Sequence, residues 1–410
     1  MWTSIRSLTN LRSLGLGLLL LAGPSVADAS YITELDEIQT AIESTDAAWT
    51  AGPNHIAEME PDARRQLLGV IREEPVDALS ERPVGMTLPS SWDWRDMDGQ
   101  DFLTPVKNQG SCGSCVAFGV NAALEASLEI SDGDDTWNPD LSEQHLFSCG
   151  GGGCNFGWYV SSALNYARFS GIPGEDCNVY LSGIMGDRDC SRSCDDWEDK
   201  TVQIDAWSWV TNDVDAIKSY LMDQPLVTTM DVYTDFYAYT SGVYSHTWGG
   251  YEGGHCITFV GWDDADSCWI VKNSWGANWG EDGYFRIAYG DSDIGSQTAW
   301  MSGYPTIRPS TDASAYAAGA SADLGISLHN VGAEIDGLIE VWAEASNGKQ
   351  QVLYSGSHVI PEGTEHVDAT ALSDPIPSVP AGVYTVYSAV RSDNGSDTHS
   401  CAAVEVEITN

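Results

Sequence analysis

The pattern of apolar and polar positions changes character several times along the chain. Residues 13–23, SLGLGLLLLAG, are an almost unbroken apolar run, too short to span a bilayer. MWTSIRSLTNLR before it carries two Arg and no acid, and the small-x-small triplet Ala27-Asp28-Ala29 follows. Together they predict an export signal over residues 1–29 and no membrane anchor. Next, Ile32, Leu35, Ile38 and Ile42 recur at steps of three and four, the apolar stripe of a helix. PDARRQLLGVI predicts a second short helix with Pro61 near its start. REEPVDALSERPVGMTLPSSWDW, broken by three prolines, predicts an extended connector. Residues 30–87 therefore read as a small helical unit with too little core to stand alone, the kind of pro-segment that precedes a larger domain. Its release is expected near residues 84–88.

From residue 88 to 303 the pattern is that of a packed domain. SCVAFGVNAALEASLEI is apolar almost all round, which predicts a buried helix. Residues 149–200 are rich in Gly and Cys and predict bridged loops. HCITFVGWDDADSCWIVKNSW is two β-branched and aromatic runs about an Asp-rich turn near Asp264–Ala265, hence a hairpin, and GYFRIAYG predicts a further strand. YPTIRPSTDAS, with its prolines and small polar residues, reads as a linker over 304–313. Beyond it ADLGISLHN, GLIEVWAEA, QVLYSGSHVI, GVYTVYSAV and AAVEVEIT are short strand-like runs separated by turn residues. They predict an all-β, immunoglobulin-like sandwich over 314–410.

Charge and cysteine content narrow the classes. The net charge of −42 is spread along the chain, since even from Tyr304 onward 14 acids face 3 basic residues. Such a surface repels nucleic acid and anionic membranes. A salt-rich habitat, in which ions screen the self-repulsion, is one reading; an ordinary acidic exported protein holding calcium at SDGDD or WDDAD is the other. Stability and activity against NaCl concentration separate them. Ten Cys in an exported chain predict disulfides in an oxidising, extracellular compartment. If one Cys is a nucleophile, nine remain, so a further thiol is left unpaired.

The chemistry concentrates at Cys115, where a glycine-rich turn gives way to the apolar helix. A helix start favours the thiolate, the reactive form. Such a nucleophile needs a base, a group to orient the base, and oxyanion donors. His255 enters the predicted hairpin among glycines, and Asn273 lies eighteen residues on, across that hairpin. Gln109, six residues before Cys115, is placed to point its amide at an oxyanion. Taken singly, each of these is an ordinary buried or turn residue. A C-x-x-C alone also fits a redox pair or zinc knuckle, but neither a thioredoxin-like setting nor paired knuckles are present.

PVKNQGSCGSCVAFG, LSEQHLFSCGGGGCNFG, GGHCITFVGW and WIVKNSWGANWGEDGYFRI, in that order over about 200 residues, closely resemble the papain-like cysteine peptidases. The resemblance implies an α+β fold of two subdomains, one helical and one a β-barrel, with Cys115 and His255 facing across a cleft. It implies Cys115 as nucleophile, His255 as its ion-pair partner and acid, Asn273 orienting His255, and Gln109 with the Cys115 amide as oxyanion hole. Trp275 would shield the Asn–His hydrogen bond. Gly157 would hold the substrate backbone, with Trp158 and Gly254 shaping a pocket for an apolar or aromatic residue two positions before the scissile bond. Cys112 would pair with Cys154, and Cys149 with Cys190 or Cys194. The chain departs from the pattern at Val116, where the family has Trp, and the resemblance gives no role to Cys256, Cys268 or Cys401. No cofactor and no metal site is expected. The implied protein is a secreted, monomeric endopeptidase zymogen acting on proteins or peptides. A rival from another class is a retired peptidase acting as a binding or adhesion protein, whose C-terminal domain holds a polymer or cell surface. Turnover of a peptide distinguishes the two.

Overall fold

The computed structural model describes residues 26–302, except 81–87, 98, 133–135, 137 and 205, and the backbone of strands between residues 306 and 409. Most of the expected export signal lies outside the described residues. Its expected cleavage triplet falls at the start of the first helix, α1 (Val26–Thr45). Leu35, Ile38 and Ile42 of the expected stripe face the core, but Ile32 is half exposed and Tyr31 packs inward instead. After α1 come strand β1 (Trp49–Ala51) and helix α2 (Pro61–Arg65). Helix α2 is shorter than PDARRQLLGVI predicts. Residues after Arg65 leave the helix because their backbone bonds to the rest of the domain, as set out below, and tertiary pairing overrides local propensity.

One half of the main domain is helical. It holds α3 (Cys115–Asp132), α4 (Glu143–Gly150), α5 (Val160–Phe169) and α6 (Ser182–Met185). Ser142 caps α4 by accepting the His145 amide at 2.9 Å, and left-handed Gly151 ends it. Val116, Val120, Leu124, Leu146, Phe147, Leu164 and Trp158 form the core of this half.

The other half is a nine-stranded sheet with one helix, α7 (Val214–Leu221), packed into its core. Its strands after β1 are β2 (Ser91–Asp93), β3 (Ala206–Val210), β4 (Leu226–Tyr233), β5 (Tyr239–Tyr244), β6 (Tyr251–Asp263), β7 (Cys268–Lys272), β8 (Tyr284–Ala288) and β9 (Thr298–Ser302). The order is β1-β5-β8-β7-β6-β4-β9-β3, with β2 added on β6. Strand β1, from the N-terminal unit, thus completes the sheet edge, pairing Trp49 with Gly242. Trp262, Trp269, Trp275, Trp279 and Trp300 are all buried in this half. The sheet meets the helical half where α3 crosses β6 at Gly119, whose Cβ would stand 2.8 Å from the Cys256 sulfur. That close crossing brings the start of α3 beside His255.

Past residue 302, strands β10 (Thr306–Thr311), β12 (Leu324–His329) and β15 (Ala369–Leu372) form one sheet in that order. Strands β11 (Ala315–Ala317), β17 (Thr398–Thr409), β16 (Gly382–Ser392), β13 (Ile335–Ala345) and β14 (Gln350–Ile360) form another. Residues 306–311 of the expected linker are therefore strand, with Pro309 tolerated because β10 is an edge. No helix among the described residues is long and apolar enough to cross a membrane.

Candidate active site

Cys115 is the first residue of α3 and is fully buried. The turn before it is fixed by a disulfide between Cys112 and Cys154 and by the Gly113 amide donating to the Cys154 carbonyl at 3.0 Å. Burial pushes the Cys115 thiol up to about 11, while the amides of Cys256, Gly69 and Val116 pull it the other way. Val116 is itself fully buried, so an apolar side chain still fills the position where the resemblance expects Trp.

His255 lies on β6, also fully buried, with Nε2 bonded to Asn273 Oδ1 at 2.8 Å. The hairpin register sets this pair. Thr258 stands opposite Lys272, so one further step would oppose Asn273 to Ile257, and His255 reaches Asn273 diagonally rather than directly across. The Trp275 ring stacks on the imidazole, centroids 4.8 Å apart. Burial draws the His255 imidazole down to about 4, against the hydrogen bond it donates to Asn273 Oδ1. Burial thus favours the neutral form of both the thiol and the imidazole.

Gln109 is buried and held at both ends of its amide. Its Oε1 accepts from Ser274 Oγ at 2.7 Å, and its Nε2 donates to the carbonyls of Cys112 and Leu67 at 2.8 and 2.9 Å. The Gln109 amide also donates to the Ser274 carbonyl at 2.9 Å, and Asn108 bridges to Trp275. The segment carrying Gln109 is thereby tied to the segment carrying Asn273 and Trp275. Ser274 thus fixes the orientation of the Gln109 side chain, a contact that the sequence reading missed although Ser274 sits inside the quoted VKNSWG.

The space between these groups is filled by residues 67–73 of the N-terminal unit. The Trp158 amide donates to the Gly69 carbonyl at 2.7 Å, the Ile71 amide to the Trp158 carbonyl at 2.9 Å, and the Val70 amide to the Gly254 carbonyl at 3.2 Å. Trp158 and Gly254 therefore hold residues 69–71 by their backbones from opposite sides, with Gly157 packed against Gly69. The crossing works only with glycine: a Cβ on Gly157 would lie 2.0 Å from the Gly69 carbonyl oxygen, and one on Gly69 would lie 2.0 Å from that of Gly113. Val70 packs on the apolar cluster that holds Trp158, Cys256 and Ala299. On one side the unit is anchored by the Arg65–Glu252 ion pair and by His55 Nε2, 3.0 Å from the Trp275 carbonyl, while Arg64 pairs with Glu34 inside the unit itself. On the other, Leu79 bonds to Trp209 and Thr211 through its backbone.

Among the described residues the remaining bridges are Cys149–Cys190 and Cys177–Cys194, the second of which the sequence left unassigned. Cys256 and Cys268 are free and buried, as is Cys115. The acids of WDDAD are engaged in ordinary contacts: Asp264 with Lys218 and Tyr289, Asp266 with Arg286, and Asp263 with the Ala265 amide. SDGDD falls partly outside the described residues.

Residues 88–303 match the family described as papain family cysteine protease. Cathepsin B-like CP3 of Giardia intestinalis is 34% identical over 299 residues, 70% of this chain and 98% of that protein. The gut-specific cysteine proteinase of Caenorhabditis elegans is 29% identical over 279 residues, 61% of this chain and 84% of that one. Procathepsin B S9 from Trypanosoma congolense shares the fold, with a TM-score of 0.58 at 24% identity over 66% of this chain and 97% of its own. A recombinant stem bromelain precursor superimposes with a TM-score of 0.57 at 27% identity, over 67% and 90%.

Proposed function

Because the chain belongs to the papain family of cysteine proteases, we propose that it is an exported endopeptidase zymogen that cleaves proteins or peptides through Cys115. The observation that carries this reading is one of place. The Cys115 thiol, the His255–Asn273 pair and the Gln109 amide surround a single stretch of extended backbone, residues 67–70. A substrate backbone laid in that groove would present its carbonyl to the same groups. The N-terminal unit continues past Cys115 in both directions, to α2 and to Leu79, which supports a cleft open at both ends and hence internal cleavage.

Withdrawal of residues 67–73 would let water reach the buried thiol and imidazole. The thiol value then falls and the imidazole value rises, so the proton passes from Cys115 to His255. The thiolate attacks the carbonyl carbon, and the oxyanion takes hydrogen bonds from Gln109 Nε2 and the Cys115 amide. His255 returns its proton to the leaving amine as the C–N bond breaks, leaving a thioester on Cys115. Water then attacks the thioester, His255 takes its proton, and the acid product leaves. Asn273 holds the ring during both transfers, beneath Trp275. The apolar wall around Trp158, Cys256 and Ala299 favours an apolar or aromatic residue two positions before the scissile bond.

Three disulfides fit an oxidising, extracellular location. The strands beyond residue 314 are read as a sandwich that holds a substrate polymer or a cell surface. An epoxysuccinyl-peptide inhibitor tests the catalytic reading. One adduct on Cys115 is expected, lost in His255→Ala and gained only after removal of residues 30–87. An unreactive Cys115 under every condition would overturn it.

A further inference from the structure

Arg72 leaves the cleft with its guanidinium in an acidic pocket that the catalytic reading does not use. It pairs with Asp231 through Nη2 and, through Nη1, with Asp293 Oδ2 at 2.5 Å and Ser296 Oγ at 2.9 Å. The two carboxylates come from different parts of the sheet half. Asp231 lies on β4, directly beside Gly254 of the cleft wall, and Asp293 lies on the loop that leads into β9. Asp231 is mostly shielded, its side chain 20% exposed, and Asp293 is half exposed.

The pocket sits at a defined place along the groove. Gly69 and Ile71 bond to Trp158 on one side, while Val70 bonds to Gly254 on the other. By the alternation of extended chain, Arg72 projects on the same side as Val70, two residues further from Cys115. Its head therefore lands on the rim just outside the apolar pocket that Val70 covers.

The carboxylates alone would say nothing, but here they already hold a guanidinium, in a chain with 18 basic residues against 60 acidic ones. When the N-terminal unit leaves, Asp231 and Asp293 lose their shared cation and face each other. We propose that in the mature enzyme these two carboxylates and Ser296 select a basic side chain of the substrate, three or four residues before the scissile bond. This rests on the peptidase reading and on Trp158 and Gly254 as the wall for the residue two positions before that bond. Arg72 is then a stand-in for the substrate's own arginine or lysine, and the apolar pocket and acidic rim together read an apolar residue preceded by a basic one.

The test uses the full chain after release of its N-terminal unit, with active sites titrated by the epoxysuccinyl inhibitor. Fluorogenic peptides with one fixed apolar residue two positions before the cleaved bond carry arginine, its neutral isostere citrulline, or glutamate at the next two positions outward. Arginine should exceed citrulline in kcat/KM by about three- to tenfold at the lowest salt that supports activity, as a partly exposed charge-assisted pair gives. That ratio should approach one in Asp231→Asn/Asp293→Asn, and in the parent enzyme it should shrink as NaCl is raised. Asp293→Lys should turn the preference toward glutamate. Cleavage with no discrimination, a ratio that survives the double substitution, or a basic preference confined to the apolar pocket would each overturn the assignment and leave the peptidase reading intact. Failure to cleave any peptide would remove both.

Discussion

Replacing Gly69 by Ala should open the cleft of the uncut chain. The new Cβ would stand 2.0 Å from the Gly113 carbonyl oxygen and 2.4 Å from its carbon. Neither partner is free to yield, since the neighbouring Cys112–Cys154 bridge and the Gly113–Cys154 hydrogen bond fix that turn. Gly69 does not sit at positive φ, so the substitution adds a clash without a backbone penalty. The segment must lift, stretching the bonds that tie it to Gln109, Trp158 and Gly254. Losing two or three of them, at about 1 kcal/mol net each, weakens closure by about 2–3 kcal/mol. That is about a 30- to 150-fold larger open population. The Arg65–Glu252 ion pair is remote from the clash and keeps the unit attached. The assay is the second-order rate of Cys115 alkylation by the epoxysuccinyl inhibitor in intact chain, with the adduct located by peptide mass spectrometry. The rate should rise by that factor if labelling passes through local opening. An unchanged rate would refute the claim that residues 67–70 are what covers the thiol.

Two further outcomes follow from the site. Gln109→Ala should lower kcat of the mature enzyme by about 10²- to 10³-fold. Ser274→Ala, which only frees the Gln109 amide to turn, should lose much less and mostly in kcat rather than KM; steady-state kinetics on one peptide checks both. His145 is buried, bonded to Ser193 and Tyr166, and held down at about 4 by burial. Its folded value lies below its unfolded one, so the stability it contributes is present above about 6.5 and is lost as pH falls toward about 4. Unfolding free energy against pH should lose up to one proton of slope in that window in His145→Asn, and an unaltered slope would argue that His145 does not stay neutral.

The candidate site was legible in part because local pattern sets some of it: Cys115 follows a turn and starts an apolar helix, and His255 and Asn273 flank one hairpin. The meeting of Cys115 with His255 depends instead on the crossing of α3 over β6 and entered the sequence reading only through the family resemblance. What was not legible depends on backbone. The third disulfide joins Cys177 to Cys194 across a loop whose path no periodicity encodes. PDARRQLLGVI carries a helical pattern, yet its last residues run extended, because Trp158 and Gly254 offer amide and carbonyl partners that a helix would leave unused. Ile32 misled in the opposite way: it has the right spacing, but Tyr31 reaches the core from the neighbouring position.

The same reasoning explains why the N-terminal unit is recognised so weakly from its residues and fits so closely in space. Its hold on the cleft rests on main-chain hydrogen bonds, which any sequence can make, and on a glycine crossing, where the information is the lack of a side chain. Gly69 passes between Gly113 and Gly157 at distances that leave no room for a methyl group on any of the three. The side chains that do carry information lie at the ends of the path. Arg65 stands on one side, against Glu252, and Arg72 on the other, against Asp231 and Asp293, two of the few cations in a chain of 60 acids. In a protein so short of positive charge, that placement concentrates the electrostatic attachment of the unit at the two mouths of the groove. Those contacts are the ones that salt and acid weaken first, since water reaches them, whereas the glycine crossing between them responds only to shape.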